Sequence, residues 1–311
     1  MDNWLTVSQT AGTGNATITV TASSHTELTS RVSNINISGG SAYNYVLVTQ
    51  LAYRPEPYFG LTFEIISGGT IVFKRYDYYT PDRTIEYSLN YGEWTSITTN
   101  QTNTINVSEG DIIWFRGNNS NLDGNCFMDS TAYFNISGNI CSLLDADNFQ
   151  NITAYQDSDS HVIFPSLFRG TNVIDASQLV LSVTGLTRNC YASMFSGCTS
   201  LVAAPELPST NMEYRCYRSM FEGCTSLETA PELPATSLWM YCYQDMFKNC
   251  SNLNYAKCLA TDISSSDAYD STLNWLSGVS PTGTFVKNPN MNDWTTGASG
   301  IPSGWTVIDA T

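Results

Sequence analysis

Cys216-Tyr217-Arg218-Ser219-Met220-Phe221-Glu222-Gly223-Cys224-Thr225-Ser226-Leu227-Glu228-Thr229-Ala230-Pro231-Glu232-Leu233-Pro234-Ala235-Thr236 is one unit of a repeat. Cys190, Cys216 and Cys242 are 26 residues apart, and so are Cys198, Cys224 and Cys250. The pairs Met194-Phe195, Met220-Phe221 and Met246-Phe247 keep the same step, as do Leu201, Leu227 and Leu253, and Pro205 and Pro231. A fixed period of this size means stacked supersecondary units, each burying its apolar face only against its neighbours.

Within a unit, Leu186, Cys190 and Met194 are spaced i, i+4, i+8, as are Met212, Cys216 and Met220, and Leu238, Cys242 and Met246. That spacing predicts an apolar stripe along a core-facing helix. Gly197, Gly223 and Asn249 fall where such a helix ends and a left-handed residue is favoured. The following Thr-Ser-Leu run, as in Thr225 to Ala230, predicts a short strand that Pro231 terminates, because proline cannot donate a ladder hydrogen bond. Ser166-Leu167-Phe168-Arg169-Gly170 reads as a degraded first copy and Thr272 to Gly278 as a last half-copy. Lys257-Cys258 stands where the earlier copies have Pro-Glu and is expected to loosen the pattern before a terminal cap.

Upstream the period changes to two. Trp4 to Val7, Ala16 to Thr21, Arg31 to Ile37 and Tyr45 to Thr49 alternate apolar with Thr, Ser or Asn, with glycine-rich turns between them. After a Pro-containing linker at 51–60, a second strand-rich region carries Leu61 to Ile66, Thr70 to Lys74, Thr84 to Ser88, Thr104 to Val107, Asp111 to Phe115 and Tyr133 to Ile136. Asn90-Tyr91-Gly92 reads as a hairpin turn and Gly117 to Asn125 as an exposed loop.

Composition limits the function. The net charge is −15, with 13 Lys+Arg against 28 Asp+Glu, so phosphate is repelled and nucleic acid is not an expected partner. There is no apolar run long enough to span a membrane. Met1-Asp2-Asn3-Trp4 leads directly into a strand pattern, which is expected either of a chain used without secretion or of one whose signal has been removed. Nine cysteines, most of them at a repeat phase, are expected as small buried thiols; the C-x7-C spacing and the two histidines, His25 and His161, do not suit zinc. Neither a metal nor a cofactor is expected.

Two resemblances follow from these motifs. Trp4-Leu5-Thr6-Val7-Ser8, Gly12-x-Gly14-Asn15, Thr17 to Ala22, Arg31 before Ile35-x-Ile37 and the closing Val46-Leu47-Val48-Thr49-Gln50 together resemble the BACON family, over residues 4 to 50. The unit at Cys216 to Thr236 resembles the BspA-like leucine-rich repeats of bacterial surface proteins and of phages of gut Bacteroidetes, over about 160 to 311. The expected architecture is therefore multidomain: two mainly-β, sandwich-like (immunoglobulin-like) domains at 1–52 and 60–145, an α/β leucine-rich-repeat-type solenoid at 146–275, and a C-terminal cap at 276–311.

No Ser-His-Asp or Cys-His constellation can be assembled, and Glu206 and Glu232 occupy equivalent repeat positions, which stacking explains without acid and base roles. Asp145-Ala146-Asp147-Asn148 and Asp262 to Asp267 have oxygen-ligand character but lack calcium-loop spacing. The expected function is non-enzymatic: a surface-displayed structural or adhesion protein, either a phage virion component or a bacterial cell-surface adhesin. Expected partners are other virion or surface proteins and glycans or host-surface proteins, with homo-oligomerisation open. Aromatic side chains are the candidate contacts: Tyr78, Tyr79, Tyr91 and Trp94 in the second β region, and Tyr214, Trp239 and Tyr241 at positions that vary between repeats.

Overall fold

Period-two alternation in the first 150 residues builds strands, and a computed structural model gives their pairing for residues 5–7, 20–23, 31–39, 42–50, 60–75, 84–119, 126–154 and 164–311. The chain divides into two compact units, Met1–Tyr58 and Phe59–Thr311. In the first, β1 (Leu5–Val7) pairs antiparallel with β2 (Val20–Ala22), and β3 (Arg31–Gly39) pairs antiparallel with β4 (Ala42–Gln50). Leu5 and Ile35 are buried and Val48 packs against them, so both pairs contribute to one small core.

The second unit opens with β5 (Thr62–Ser67), β6 (Gly69–Arg75), β7 (Thr84–Leu89), β8 (Thr95–Ser96), β9 (Gln101–Val107), β10 (Ile112–Asn118), β11 (Cys126–Ser130) and β12 (Tyr133–Asn139). The sheet β12-β5-β10-β7-β8 is antiparallel throughout, and β11-β6-β9 forms a second antiparallel sheet. Phe73 of β6 meets Phe115 of β10 with ring centroids 5.9 Å apart, so the inner faces of the two sheets share a core. Asn90 and Tyr91 both have positive φ, 50° and 62°, and the Gly92 N–H donates to the Leu89 carbonyl, as a two-residue hairpin turn of type I′ requires. The expected loop at Gly117 needs correction at its start. Gly117 and Asn118 end β10, and Asn119 is buried, its amide donating to the carbonyls of Thr84 and Leu143.

The outer edge of β12 is not left open. It pairs in parallel with β13 (Gln178–Val180), and the Ile136 N–H donates to the Asp175 carbonyl. Parallel bridges then step onward from Asp175 to Ala203, and from Thr229 and Leu233 to Tyr255 and Cys258. They end in a parallel sheet of β14 (Tyr255–Cys258), β15 (Gly283–Lys287) and β16 (Trp305–Asp309). The sandwich thus serves as the first layer of the repeat array, and Phe63 of β5 packs edge-on against Phe168 of the first copy at 6.0 Å.

The expected α/β solenoid is not what the repeat builds. The described residues contain only two short 3-10 turns, Ile140–Leu143 and Phe149–Asn151, and the stripes read as helices contain none. Instead, alternate residues are left-handed: Asn189, Tyr191 and Ser193 have φ of 56°, 60° and 55°, and Arg215, Tyr217 and Ser219 have 58°, 57° and 52°. Backbone donors divide accordingly. The N–H groups of Cys190, Ala192 and Met194 donate three residues back, to Thr187, Asn189 and Tyr191, closing consecutive tight turns. Those of Asn189, Ser193 and Phe195 donate to Tyr214, Arg218 and Met220 in the next copy. A helix needs every N–H to bond within itself four residues back, so these inter-copy bonds exclude it.

The spacing could not distinguish the two because chained turns also return to one face every four residues. What separates them is that both members of each pair are buried: Cys190 with Tyr191, and Met194 with Phe195. These six left-handed positions carry no β-branched residue, the class that tolerates positive φ least. Gly197 and Gly223, at φ 78° and 77°, and Asn249, at 63°, are left-handed as the sequence suggests, but they close a chain of turns and not a helix. The expected strand at Thr225 to Ala230 is also reduced, to a single bridge at Thr229. Prolines at 205, 208, 231 and 234 remove donors there, whereas a regular strand, β14, forms where Lys257-Cys258 replaces Pro-Glu. That substitution therefore tightens the ladder.

Stacked copies align their side chains in columns. Phe164, Tyr191, Tyr217, Tyr243 and Trp275 stack with centroids 5.9–6.5 Å apart. Phe168, Phe195, Phe221 and Phe247 stack at 5.4–5.6 Å. All nine cysteines are buried, and none is in a disulfide. Trp275 closes the column against Trp294 at 5.4 Å and donates through Nε1 to the Gly300 carbonyl.

Candidate ligand-binding face

The columns bury the Cys, Tyr, Met, Phe and Leu side chains that recur in the repeat, so the side chains open to contact lie outside them. One group of these converges. Tyr214 and Tyr241 meet edge to face with centroids 5.7 Å apart and planes at 85°, and Tyr241 meets Tyr269 in the same way at 5.7 Å and 88°. The guanidinium carbon of Arg188 lies 4.4 Å from the Tyr214 ring centroid, and that of Arg215 lies 4.8 Å from Tyr214 and 5.4 Å from Tyr241. Tyr269 is 54% exposed, Trp239 is 36% exposed, and Arg188 is exposed.

The backbone explains the alignment. Arg215 and Tyr241 share a repeat phase and both are left-handed, at 58° and 61°. The Arg215 N–H donates to the Met240 carbonyl, and the Tyr241 N–H donates to the Tyr269 carbonyl at 3.1 Å, so each inter-copy bond brings neighbouring copies into register under the rings. Asp270, beside Tyr269, together with the Tyr241 hydroxyl, holds the Tyr269 hydroxyl above the ordinary range, because a second negative charge there is disfavoured.

Two of the sequence candidates, Tyr214 and Tyr241, are thus brought together, with Trp239 exposed two residues before Tyr241. Tyr269, Arg188 and Arg215 were not anticipated. The aromatic positions run 214, 241 and 269, so the step is 27 and then 28 residues, out of phase with the 26-residue period of the buried cysteines. The signal available was the recurrence of Arg or Tyr just before the Cys-Tyr pair.

The other candidates go elsewhere. Tyr91 packs on Trp114 at 4.0 Å with its hydroxyl buried. Trp94 lies against the Arg116 guanidinium at 3.9 Å, and Arg116 holds Glu86 through Nε and Nη2, each 2.8 Å from Oε2. Both rings therefore pack on the sandwich sheet and lie apart from the tyrosine ladder. Tyr78, Tyr79, His25 and His161 fall outside the described residues.

Glu206 and Glu232 flank an open groove of about 380 Å³ walled by Pro205, Leu207, Pro208, Pro231 and Pro234. Glu232 is paired with Lys257 at 2.9 Å. Of the two acidic loops, Asp145 accepts from the N–H groups of Asp147 and Asn148; partial burial raises its carboxyl, but these donors outweigh that and hold it below the ordinary range. Asp262 is lowered in the same direction by the N–H and hydroxyl of Ser264 and by Ser265. Each carboxylate is engaged by its own loop. Among the described residues no group of three His, Cys, Asp or Glu side chains converges on a metal position.

Residues 2–51 match the model of the BACON family, described as "Putative binding domain, N-terminal". A binding role for this segment agrees with that description. No curated protein and no solved structure matches the chain.

Proposed function

We propose that this chain is a non-enzymatic adhesion protein that binds glycans through the outer face of its repeat array. The observation that carries the reading is the ladder of Tyr214, Tyr241 and Tyr269, partly exposed aromatics crossing successive copies while the repeat's own aromatics are buried, with the exposed Trp239 two residues before Tyr241. Aromatic rings combine a large apolar contact area with a polar tip, which suits the alternating apolar and hydroxyl-bearing faces of sugars. The N-terminal segment, matched to a family described as binding, adds a second module of the same kind. Display on a surface belongs to this proposal, the address being a virion or a bacterial cell surface, with other virion or surface proteins as neighbours.

A glycan array probed with the full chain and with Trp239→Ala and Tyr269→Ala variants tests the binding. Expected is a set of bound glycans whose signal falls at least tenfold in the variants. A flat array with the parent chain overturns the reading, and so does hydrolysis of a bound glycan. Mass spectrometry of purified virions and of bacterial surface fractions tests the address.

A further inference from the structure

We propose that the glycan taken by this face is anionic, a polysaccharide bearing carboxylate or sulfate groups gripped by Arg188 and Arg215; the inference rests on the glycan-binding reading above. The first ground is how this acidic chain distributes its few cations. Arg116, Lys248, Lys257 and Lys287 each lie within ion-pair distance of a carboxylate: Glu86, Asp245 with Glu222, Glu232 and Asp309. Arg188 and Arg215 do not, and neither do Lys74, Arg169 and Arg218, but of these only Arg188 and Arg215 meet the tyrosine ladder. Among the described residues neither has a carboxylate partner, although the exposed Glu213 sits two residues before Arg215 and the chain carries 28 acids against 13 cations. Both guanidiniums are placed against tyrosine rings instead.

The second ground is geometric. A guanidinium over a ring is held by its flat face, with its rim of N–H donors left for a planar, doubly accepting group. Carboxylate and sulfate oxygens fit that rim two at a time. The Arg215 Nε is enclosed, so the donors this side chain offers a ligand are those of its two terminal nitrogens. Two such groups sharing the Tyr214 ring form a pre-ordered anion clamp, since the rings have already restricted the side-chain freedom that binding must remove.

The third ground is polarity along the ladder. The arginines stand at the Tyr214 end, and Asp270 stands beside Tyr269 at the other. An acidic sugar residue is therefore favoured at the Arg188 end and a neutral, hydroxyl-bearing one at the Tyr269 end. A chain alternating acidic and neutral residues matches both ends.

The test is titration of the full chain with polygalacturonate, a sulfated galactan, a neutral galactan and poly-glutamate, at low and at physiological salt, for the parent and for Arg188→Gln, Arg215→Gln and the double variant. Expected is binding of polygalacturonate or the sulfated galactan that weakens with salt and falls at least tenfold in the double variant, while any neutral galactan binding is unchanged. Which of the two polymers binds tells carboxylate from sulfate. Arg→Lys at both positions should recover only part of the loss, because the charge returns without the planar fork. Neutral and acidic galactans bound equally, or no response to the arginine changes, overturns the anion inference and leaves the glycan reading standing. No polysaccharide bound by the parent overturns both. Binding of poly-glutamate alone assigns the clamp to an acidic protein and overturns the inference. Should the double variant not fold, Arg188→Gln, at an exposed side chain, is the deciding variant: weakened acidic-polymer binding supports the clamp and unchanged binding overturns it.

Discussion

The thiol of Cys224 donates to the carbonyl oxygen of Phe195, one copy earlier, across 3.1 Å. Cys250 does the same to Phe221 at 3.0 Å and Cys198 to Phe168 at 2.9 Å. In each unit one cysteine is thus a small buried group whose weak donor adds a further hydrogen bond to a carbonyl that already accepts a backbone N–H of its own turn, from Cys198, Cys224 and Thr171 in turn. Cys224→Ala removes this bond and a sulfur-sized volume, and should lower the unfolding free energy by about 1–3 kcal/mol. Denaturant unfolding checks this. An unchanged midpoint would show that neither the bond nor the packing of the sulfur stabilises the fold.

Burial also pushes these thiols up, Cys141 and Cys198 to about 11 and Cys250 and Cys258 to about 12, from an ordinary value of 9.0. Cys190, Cys216, Cys224 and Cys242 move in the same direction for the same reason. Below pH 9 thiols are protonated in both states and contribute no pH dependence. Above it the unfolded chain releases protons that the native chain retains, so stability falls as pH climbs from about 9 towards 12, by up to ~1.4 kcal/mol per pH unit for each thiol. Melting temperatures measured from pH 7.5 to 11 should show this decline, and replacing cysteines by alanine should flatten it. A level profile to pH 11 would refute the buried-thiol assignment.

Gly223 tests the backbone of the repeat. A Cβ added there meets nothing closer than 3.7 Å, so space is not the obstacle. Its φ of 77° is, and Gly223→Ala should cost about 1–2 kcal/mol through the left-handed conformation alone. Asn249→Gly, at the equivalent position, should be neutral or slightly stabilising. Chemical unfolding of both variants distinguishes this from a right-handed helical end, where alanine would stabilise.

Phe168 touches Phe63 in the sandwich and Phe195 in the array. Phe168→Ala should cost about 3–5 kcal/mol, the range for a buried ring, and should destabilise both regions together. Hydrogen exchange reads this directly: amides of β10 and of the chained turns should lose protection in parallel. Loss confined to the array would mean that the sandwich folds independently of it.

The strands of the β region were legible because alternation at period two has few other readings. β5, β6, β7, β9, β10 and β12 lie at or within a few residues of where the sequence puts them. β11, Cys126–Ser130, was missed; its Cys-Phe-Met-Asp-Ser carries little β-branched character and is held by pairing with β6. The repeat was legible as a period and not as a conformation. A stripe at i, i+4, i+8 measures how often the chain returns to the core, and both a helix and a run of tight turns return every four residues or so. The difference lies in where Asn189 and Ser193 send their N–H groups, to the next copy, which no local pattern records. The candidate face was half legible for the same reason: Tyr214, Trp239 and Tyr241 stood out as variable aromatics, but their partners Arg188 and Tyr269 are neighbours only through stacking.

At the edge of β12 that receives β13, the sandwich supplies a first layer, and each later copy bonds only to its neighbours. The length of the array is therefore not fixed by any closure of the fold. A duplicated stretch such as 211–236 could be spliced in with the rings, thiols and left-handed residues meeting their counterparts unchanged. The outer tyrosines and arginines would lengthen with it, so the reach of the proposed glycan-binding face is a quantity this architecture can tune by counting copies, without redesigning a pocket.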